Sequence, residues 1–213
     1  MKNYTNIVWD WNGTLLDDLD AGVNTLNRML EGRGLPLLTT EQYKAQFGFP
    51  VEPFYRQVGF DLERENLHEI SVDFVRTYEE FAPDVRLHRE VVETLQSLRE
   101  AGKIQFILSA LREELLQPMV EEFGLSLYFS QVCGSDNIYA IGKVDRGRRM
   151  VGLCGIRPEE TLMIGDTLHD AEVAEALGFD VLLYTGGHNS ADRLSGKGRV
   201  ITNLLQIPDR ILQ

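Results

Sequence analysis

The sequence predicts an α/β fold: a Rossmann-like parallel sheet core with helices on both faces, plus an all-helical cap inserted after the first strand. Three observations predict it. Short, predominantly apolar runs such as Ile104-Gln105-Phe106-Ile107-Leu108, Leu162-Met163-Ile164 and Val181-Leu182-Leu183-Tyr184 have the length and composition of strands buried on both faces. Segments with apolar residues at helical spacing separate those runs, the alternation that builds a parallel sheet. Between the first strand and residue 83, only helical periodicity is found.

In chain order, Ile7 to Asp10 is a short β-prone segment closed by the turn signal Asn12-Gly13. Val23, Leu26, Met29 and Leu30 recur at helix spacing until Gly32 and Gly34-Leu35-Pro36 stop them. Thr39-Thr40-Glu41 caps a second helix, which Gly48-Phe49-Pro50 breaks. Leu67, Ile70, Phe74, Val75 and Tyr78 mark a longer helix that closes near Pro83. The expected division is therefore 1–16 and 83–213 for the α/β core and 17–82 for the helical insert.

After Pro83 a helix stripe (Val91-Val92, Leu95, Leu98) ends at Gly102. The strand from Ile104 follows, then a helix from about Arg112 to Phe123. Further strands are expected at Phe129 to Cys133, Leu162 to Ile164, Val181 to Tyr184 and, more weakly patterned, Arg199 to Ile201. Strand alternation turns Trp9 into the core.

The formal net charge is −12, and the sequence pI of about 4.8 agrees with it. Such a chain repels nucleic-acid backbones and anionic membranes, so neither is an expected partner. A small anionic ligand would need local positive charge, which a bound cation supplies. No apolar run approaches the length of a membrane span, and no apolar leader precedes the first strand, so a cytoplasmic location is the expectation. Cys133 and Cys154 lie in apolar settings without metal-type spacing and are read as small core residues.

Ligands of open parallel sheets bind beyond the carboxyl ends of the strands. The short polar residues fall there: Asp10 ends the first strand, Ser109 the next, and Asp166 the fourth. Taken singly each has a plain structural explanation, since an aspartate or serine after a strand commonly caps a turn or helix. Lys143 alone would pass for a surface lysine, and Asp170 for a solvated first-turn helix residue.

Taken together they form a pattern. Asp10-Trp11-Asn12-Gly13-Thr14-Leu15 resembles the opening D-x-D-G-T-L signature of the haloacid dehalogenase superfamily. Ser109 after an apolar strand, Lys143 further on, and Gly165-Asp166-Thr167-Leu168-His169-Asp170 resemble the other three signatures, in the family's order along the whole chain. The resemblance implies a cytoplasmic, magnesium-dependent phosphotransfer hydrolase acting on a small phosphorylated metabolite. Asp10 would be the nucleophile, forming an aspartyl-phosphate. Asp10, Asp166, Asp170 and the Asn12 backbone carbonyl would hold Mg²⁺, whose preference for hard oxygen ligands suits them. Ser109 and Lys143 would hold the phosphoryl oxygens, with Thr14 and Ala110 beside them, and backbone N–H groups around Trp11 and Asn12 would form an anion nest. Trp11 would shield the aspartyl-phosphate from water.

One departure matters. Most phosphatases that the chain resembles carry an aspartate two residues after the nucleophile, and that carboxyl acts as general acid and base. Here the residue is Asn12, whose amide cannot shuttle a proton at neutral pH. Losing such help costs about 10²–10⁴ in rate, which leaves room for the nucleophile, metal and phosphate clamp to work. Two other readings follow. Phosphonoacetaldehyde hydrolases share a D-W-A-G-T context and use a Schiff-base lysine, for which Lys44 is the candidate here. The third is a phosphate-binding protein with weakened turnover.

The insert resembles the small helical cap of the phosphoglycolate-phosphatase-like branch. Phe47-Gly48-Phe49-Pro50 resembles its substrate loop, so Phe49 is a substrate-contact candidate while Phe47 is read as insert core. Lys44 and Arg56 are read as solvated helix residues, with contact to an anionic substrate as the alternative. His188, in Gly186-Gly187-His188-Asn189, is read as a surface histidine at a helix start, and His68, His88 and His169 belong to no recognisable constellation.

Overall fold

The computed structural model describes residues 2–136 and 142–212. The elements run in order β1 (Asn6–Trp9), β2 (Leu16–Asp17), α1 (Leu19–Glu31), α2 (Thr40–Gln46), α3 (Val51–Gln57), α4 (Leu67–Phe81) and β3 (Arg86–Leu87). There follow α5 (Val91–Glu100), β4 (Ile104–Arg112), α6 (Glu113–Glu122), β5 (Gln131–Ser135), α7 (Lys143–Cys154), β6 (Thr161–Gly165) and α8 (Leu168–Leu177). The chain closes with β7 (Asp180–Tyr184), α9 (Ala191–Leu194), β8 (Arg199–Ile201) and α10 (Gln206–Ile211).

A six-stranded sheet in the order β5-β4-β1-β6-β7-β8 has every neighbouring pair parallel. The first strand is central, and the chain extends the sheet outward from it in both directions. That makes the carboxyl end of β1 a topological switch point, where neighbouring connections leave on opposite faces and open a crevice.

Side-chain alternation divides the core. Ile7, Trp9, Ile107, Leu162 and Ile164 join Leu95, Leu98, Leu116 and Ile207 on one face of the sheet. Val8, Phe106, Leu108 and Met163 join Met150, Val173 and Leu177 on the other. Trp9 is fully buried, as alternation predicts, and its indole N–H donates to Gln105 Oε1 at 3.0 Å. The insert helices assemble a separate core from Val23, Leu26, Leu30, Tyr43, Phe54 and Ile70. Thr39 caps α2 with a full capping box, its hydroxyl accepting from the Gln42 N–H.

Several details differ from the sequence reading. The chain segments that leave and re-enter the core pair as antiparallel strands, Leu16 opposite Leu87 and Asp17 opposite Arg86, too short a ladder to leave a period in the sequence. Strand β5 starts at Gln131 rather than Phe129, because a 3₁₀ turn over Ser126–Tyr128 ends on Phe129; β4 runs past Ser109 through a register irregularity to pair Arg112 with Ser135. Trp11, expected as a shield over Asp10, is instead fully buried in the core, its ring 6.2 Å from that of Phe123. Cys154 is exposed at the end of α7, and Cys133 is half-buried, so only the latter sits near a core. Among the described residues, no helix is long and apolar enough to cross a membrane.

Candidate active site

Asp10 is the first residue beyond β1. Its N–H continues the ladder to Ile164 O at 2.8 Å, and the residue is buried at 7% exposure. Trp9 stands level with Ile107 and Ile164, so Ser109 and Asp166, each two residues further along its strand, emerge on either side of Asp10. Carboxylate oxygens of Asp10, Asp166 and Asp170 lie within 4.8 Å of one another.

Each is fixed by local sequence. Asp166 takes the Thr14 hydroxyl on Oδ1 at 2.8 Å and the His188 backbone N–H on Oδ2 at 2.6 Å. Asp170 sits in the first turn of α8 as half of a capping box with Thr167, whose N–H and hydroxyl both donate to its Oδ2. Lys143, at the start of α7, bridges the set: its Nζ is 2.6 Å from Asp10 Oδ1 and 2.7 Å from Asp170 Oδ1.

The electrostatics are those of a crowded, dry anionic cluster. Burial pushes the Asp10 carboxyl up, Lys143 pulls it down, and Asp170 and Asp166 push it up again, to about 8. Burial likewise raises Asp166 to about 6, against the His188 charge. Asp170 is also buried, but the Lys143 charge and hydrogen bond and the Thr167 donors hold it below the ordinary carboxylate value. Burial disfavours the Lys143 charge, yet Asp10 and Asp170 outweigh it and raise its pKa. One ammonium cannot neutralise three buried carboxylates. The all-oxygen donor set and its uncompensated charge therefore fit a hard divalent cation.

Asn12 is half-buried, and its Nδ2 donates to Asp18 Oδ2 at 2.7 Å. Asp18 also accepts Gly13 N–H at 2.7 Å and Tyr78 O–H at 2.9 Å, and meets His188 Nε2 at 3.2 Å. Burial alone would raise the Asp18 carboxyl, but the His188 charge and these donors carry it below its ordinary value. Burial in turn opposes the His188 charge, and Asp18 overcomes it, raising the imidazole to about 9. A carboxylate can only accept, so Asn12 must face Asp18 with its NH₂ group.

The sequence-predicted residues thus fare differently. Asp10, Asp166, Asp170 and Lys143 meet, with Ser109 buried beside them, its oxygen accepting the Leu111 N–H at 3.1 Å. Ala110, the next residue, is half-buried on the same strand. Thr14, expected among the substrate contacts, is fully buried with its hydroxyl committed to Asp166, so it positions a carboxylate instead. Phe49 reaches the rim, its ring 5.4 Å from that of His169. Phe47 stacks on Tyr43 at 4.9 Å, as insert core should. Arg56 is exposed and paired with Glu52, whereas Lys44 is half-buried and donates to Thr185 O at 2.9 Å.

Sequence reasoning misses the second tier. His188 is not a surface histidine but a buried one, 6% exposed, because Asp18 and Tyr43 close over it from the insert. Its Nδ1 lies 3.1 Å from Tyr43 Oη. His88 is buried with Nε2 3.3 Å from the Gly13 carbonyl. The one available signal is the acidic doublet Asp17-Asp18 directly after the first motif. The insert and core are also tied at the loop after β7: the Phe47 carbonyl accepts from Asn189 Nδ2 at 2.8 Å and from the Arg193 guanidinium, and the Ser190 N–H donates to Lys44 O at 3.1 Å.

Residues 7–184 match the family model described as haloacid dehalogenase-like hydrolase. Phosphoglycolate phosphatase of Chromobacterium violaceum is 26% identical, over 98% of this chain and 97% of its own. Phosphoglycolate phosphatase of Rhodobacter capsulatus is 28% identical, over 85% and 84% respectively. Among solved structures, a predicted phosphatase from Clostridium acetobutylicum superposes with a TM-score of 0.80 at 19% identity, covering 99% of both chains, a likeness of fold.

Proposed function

This chain belongs to the haloacid dehalogenase-like hydrolases, and from that premise we propose that it is a Mg²⁺-dependent phosphomonoester hydrolase of the phosphoglycolate-phosphatase-like kind, acting through an aspartyl-phosphate on Asp10. The observation that carries the reading is Lys143 bridging Asp10 and Asp170 inside a buried trio of carboxylates at the switch point of the sheet. A nucleophile, its counter-charge and a hard-cation donor set share one crevice, as phosphoryl transfer requires.

Asp10, Asp166, Asp170 and the Asn12 carbonyl would hold Mg²⁺, which when bound offsets the repulsion between the phosphoryl group and the carboxylates. Asp10 attacks phosphorus with one carboxylate oxygen. Lys143 favours the ionised form of that carboxyl against burial and its acidic neighbours and, with the Ser109 hydroxyl and the Ala110 segment, holds the phosphoryl oxygens. Thr14 and the His188 N–H keep Asp166 from swinging away. Phe49 and the insert close the mouth and limit water. The substrate is a small phosphorylated metabolite.

The test is hydrolysis of p-nitrophenyl phosphate and 2-phosphoglycolate with and without Mg²⁺, beside Asp10→Asn. Metal-dependent turnover that Asp10→Asn abolishes supports the reading; turnover that survives Asp10→Asn ends it. One observation favours a second reading, C–P bond hydrolysis of phosphonoacetaldehyde. Lys44 is half-buried, and burial lowers its pKa, as an imine-forming lysine requires. Borohydride trapping of phosphonoacetaldehyde on Lys44 would establish that chemistry; an unmodified Lys44 peptide would remove it.

A further inference from the structure

The immediate surroundings of Asn12 constrain which phosphate compounds the site can cleave. One amide hydrogen of Asn12 is held by Asp18, whose two oxygens are also engaged by Gly13, Tyr78 and His188. An amide neither gives nor takes a proton at neutral pH, and this one cannot turn its NH₂ group away without setting its own carbonyl oxygen against a buried carboxylate oxygen. The nearby ionisable groups are committed as well. His188 is engaged at Nε2 by Asp18 and at Nδ1 by Tyr43. His88 is engaged by the Gly13 carbonyl and Tyr184, and Lys143 is clamped between two carboxylates. Among the described residues, His169 differs in having an unpartnered Nε2, its ring 5.4 Å from that of Phe49.

Resting on the Asp10 reading, we infer that the preferred substrates are phosphate compounds whose leaving oxygen departs as a stable anion, acyl phosphates and aryl phosphates, rather than phosphate esters of aliphatic alcohols. The first step needs no acid for such compounds. An Asp10 oxygen forms the new P–O bond, the old P–O bond breaks, and its electron pair leaves on the carboxylate or phenolate. In the second step water attacks the aspartyl-phosphate, the bond to Asp10 breaks with its electron pair returning to the carboxylate, and both water hydrogens leave on dihydrogen phosphate. An alkoxide leaving group would have to depart unprotonated, and the lost general acid then costs about 10²–10⁴ in rate.

The experiment measures kcat/KM with Mg²⁺ for acetyl phosphate, p-nitrophenyl phosphate, phenyl phosphate, ethyl phosphate and 2-phosphoglycolate. It compares the parent chain, Asn12→Asp, and the exchange variant Asn12→Asp/Asp18→Asn. The exchange variant retains the hydrogen-bonded pair and the net charge, so it covers the case in which two adjacent carboxylates unfold Asn12→Asp. The variant-to-parent ratio for each substrate cancels differences in recognition. The expected result is a ratio near one for acetyl phosphate, rising to about 10²–10⁴ for the alkyl phosphates. A ratio that is the same for all five substrates overturns the inference while leaving the Asp10 reading intact, and would direct attention to His169 as the proton source. No turnover, and no hydroxylamine-sensitive phosphate on Asp10 with any compound, overturns both.

Discussion

His188 Nε2 lies 3.2 Å from Asp18 Oδ1, joining a core loop to the residue that precedes α1 across 170 positions of sequence. Both side chains are buried, at 8% and 3% exposure. Removing one member of such a pair leaves the other charged and uncompensated, which typically costs about 3–5 kcal/mol. His188→Ala is therefore expected to fall at the lower end of that range, since Asp18 retains Asn12, Gly13 and Tyr78 as donors. Urea unfolding of metal-free protein measures it. A loss well below 1 kcal/mol would show that the pair contributes little net stability.

Lys143→Met separates charge from bulk, because methionine fills a similar stem volume without the ammonium. Asp10 and Asp170 then lose their common counter-charge in a site only 2% exposed at the lysine side chain. The expected loss in kcat is about 10²–10³, the range seen when one charge-stabilising donor is removed from a transition state. Asp10 should also take up a proton more readily in the variant. Single-turnover kinetics with p-nitrophenyl phosphate would read the chemical step directly; an unchanged burst rate would place Lys143 outside it.

How legible all this is in sequence depends on where each residue's partners come from. Asp10, Ser109, Asp166 and Asp170 follow apolar strand runs, and parallel topology alone carries such positions to one crevice. Lys143 can be picked out only by its order among those signatures. Asp18, Tyr43, Tyr78 and His188 are not legible as a group, because the insert must fold back over the sheet before they meet. No local period records that event. Thr14 and Trp11 depart from expectation for a related reason. The turn after β1, with the Leu15 and Leu16 N–H groups returning to Trp11 O, buries both: the Trp11 ring packs in the core and the Thr14 hydroxyl is taken up by Asp166. Cys154 departs from it because the last turn of α7 emerges into solvent beside Leu153, 79% exposed.

Divalent metal should stabilise the fold through the carboxylate trio. A ligand at a hundred times its Kd adds about 2.7 kcal/mol, and Mg²⁺ titrated into chelator-treated protein should approach that figure. Asp10→Asn makes the sharper comparison. It removes one of three mutually repelling buried charges, while its side-chain oxygen still accepts from Lys143. The variant is expected to be at least as stable as the parent without metal, to gain less from Mg²⁺, and to be inactive. An equal Mg²⁺ gain in both proteins would take Asp10 out of the metal set.

The tie between insert and core at Phe47 should matter more for substrate capture than for chemistry. Arg193→Ala removes one of two donors to the Phe47 carbonyl and leaves Asn189 in place. Losing one such bond costs about 1 kcal/mol, enough to shift an open–closed balance about fivefold. The expected signature is a raised KM with kcat nearly unchanged, and faster proteolysis within the insert. A matching fall in kcat with KM constant would mean that Arg193 acts on the reaction itself.

The turn after Asp10 leaves no room for a side chain at Gly13. Gly13 has φ +74°, and a Cβ there would collide with the Asp166 carboxyl and the His188 ring. Gly34 has a similar φ of +66°, but a methyl group on its Cα would meet nothing within 4 Å. Both alanine variants bear the left-handed backbone penalty of about 1–2 kcal/mol, but only Gly13→Ala also has to displace the Asp166 carboxylate. Gly34→Ala should therefore lose that much stability and keep its kcat, whereas Gly13→Ala should lose more stability and nearly all turnover. Thermal melts beside steady-state rates separate the two effects. Equal activity in both variants would mean that Asp166 and His188 can move aside without consequence, and that their close seating on Gly13 plays no part in catalysis.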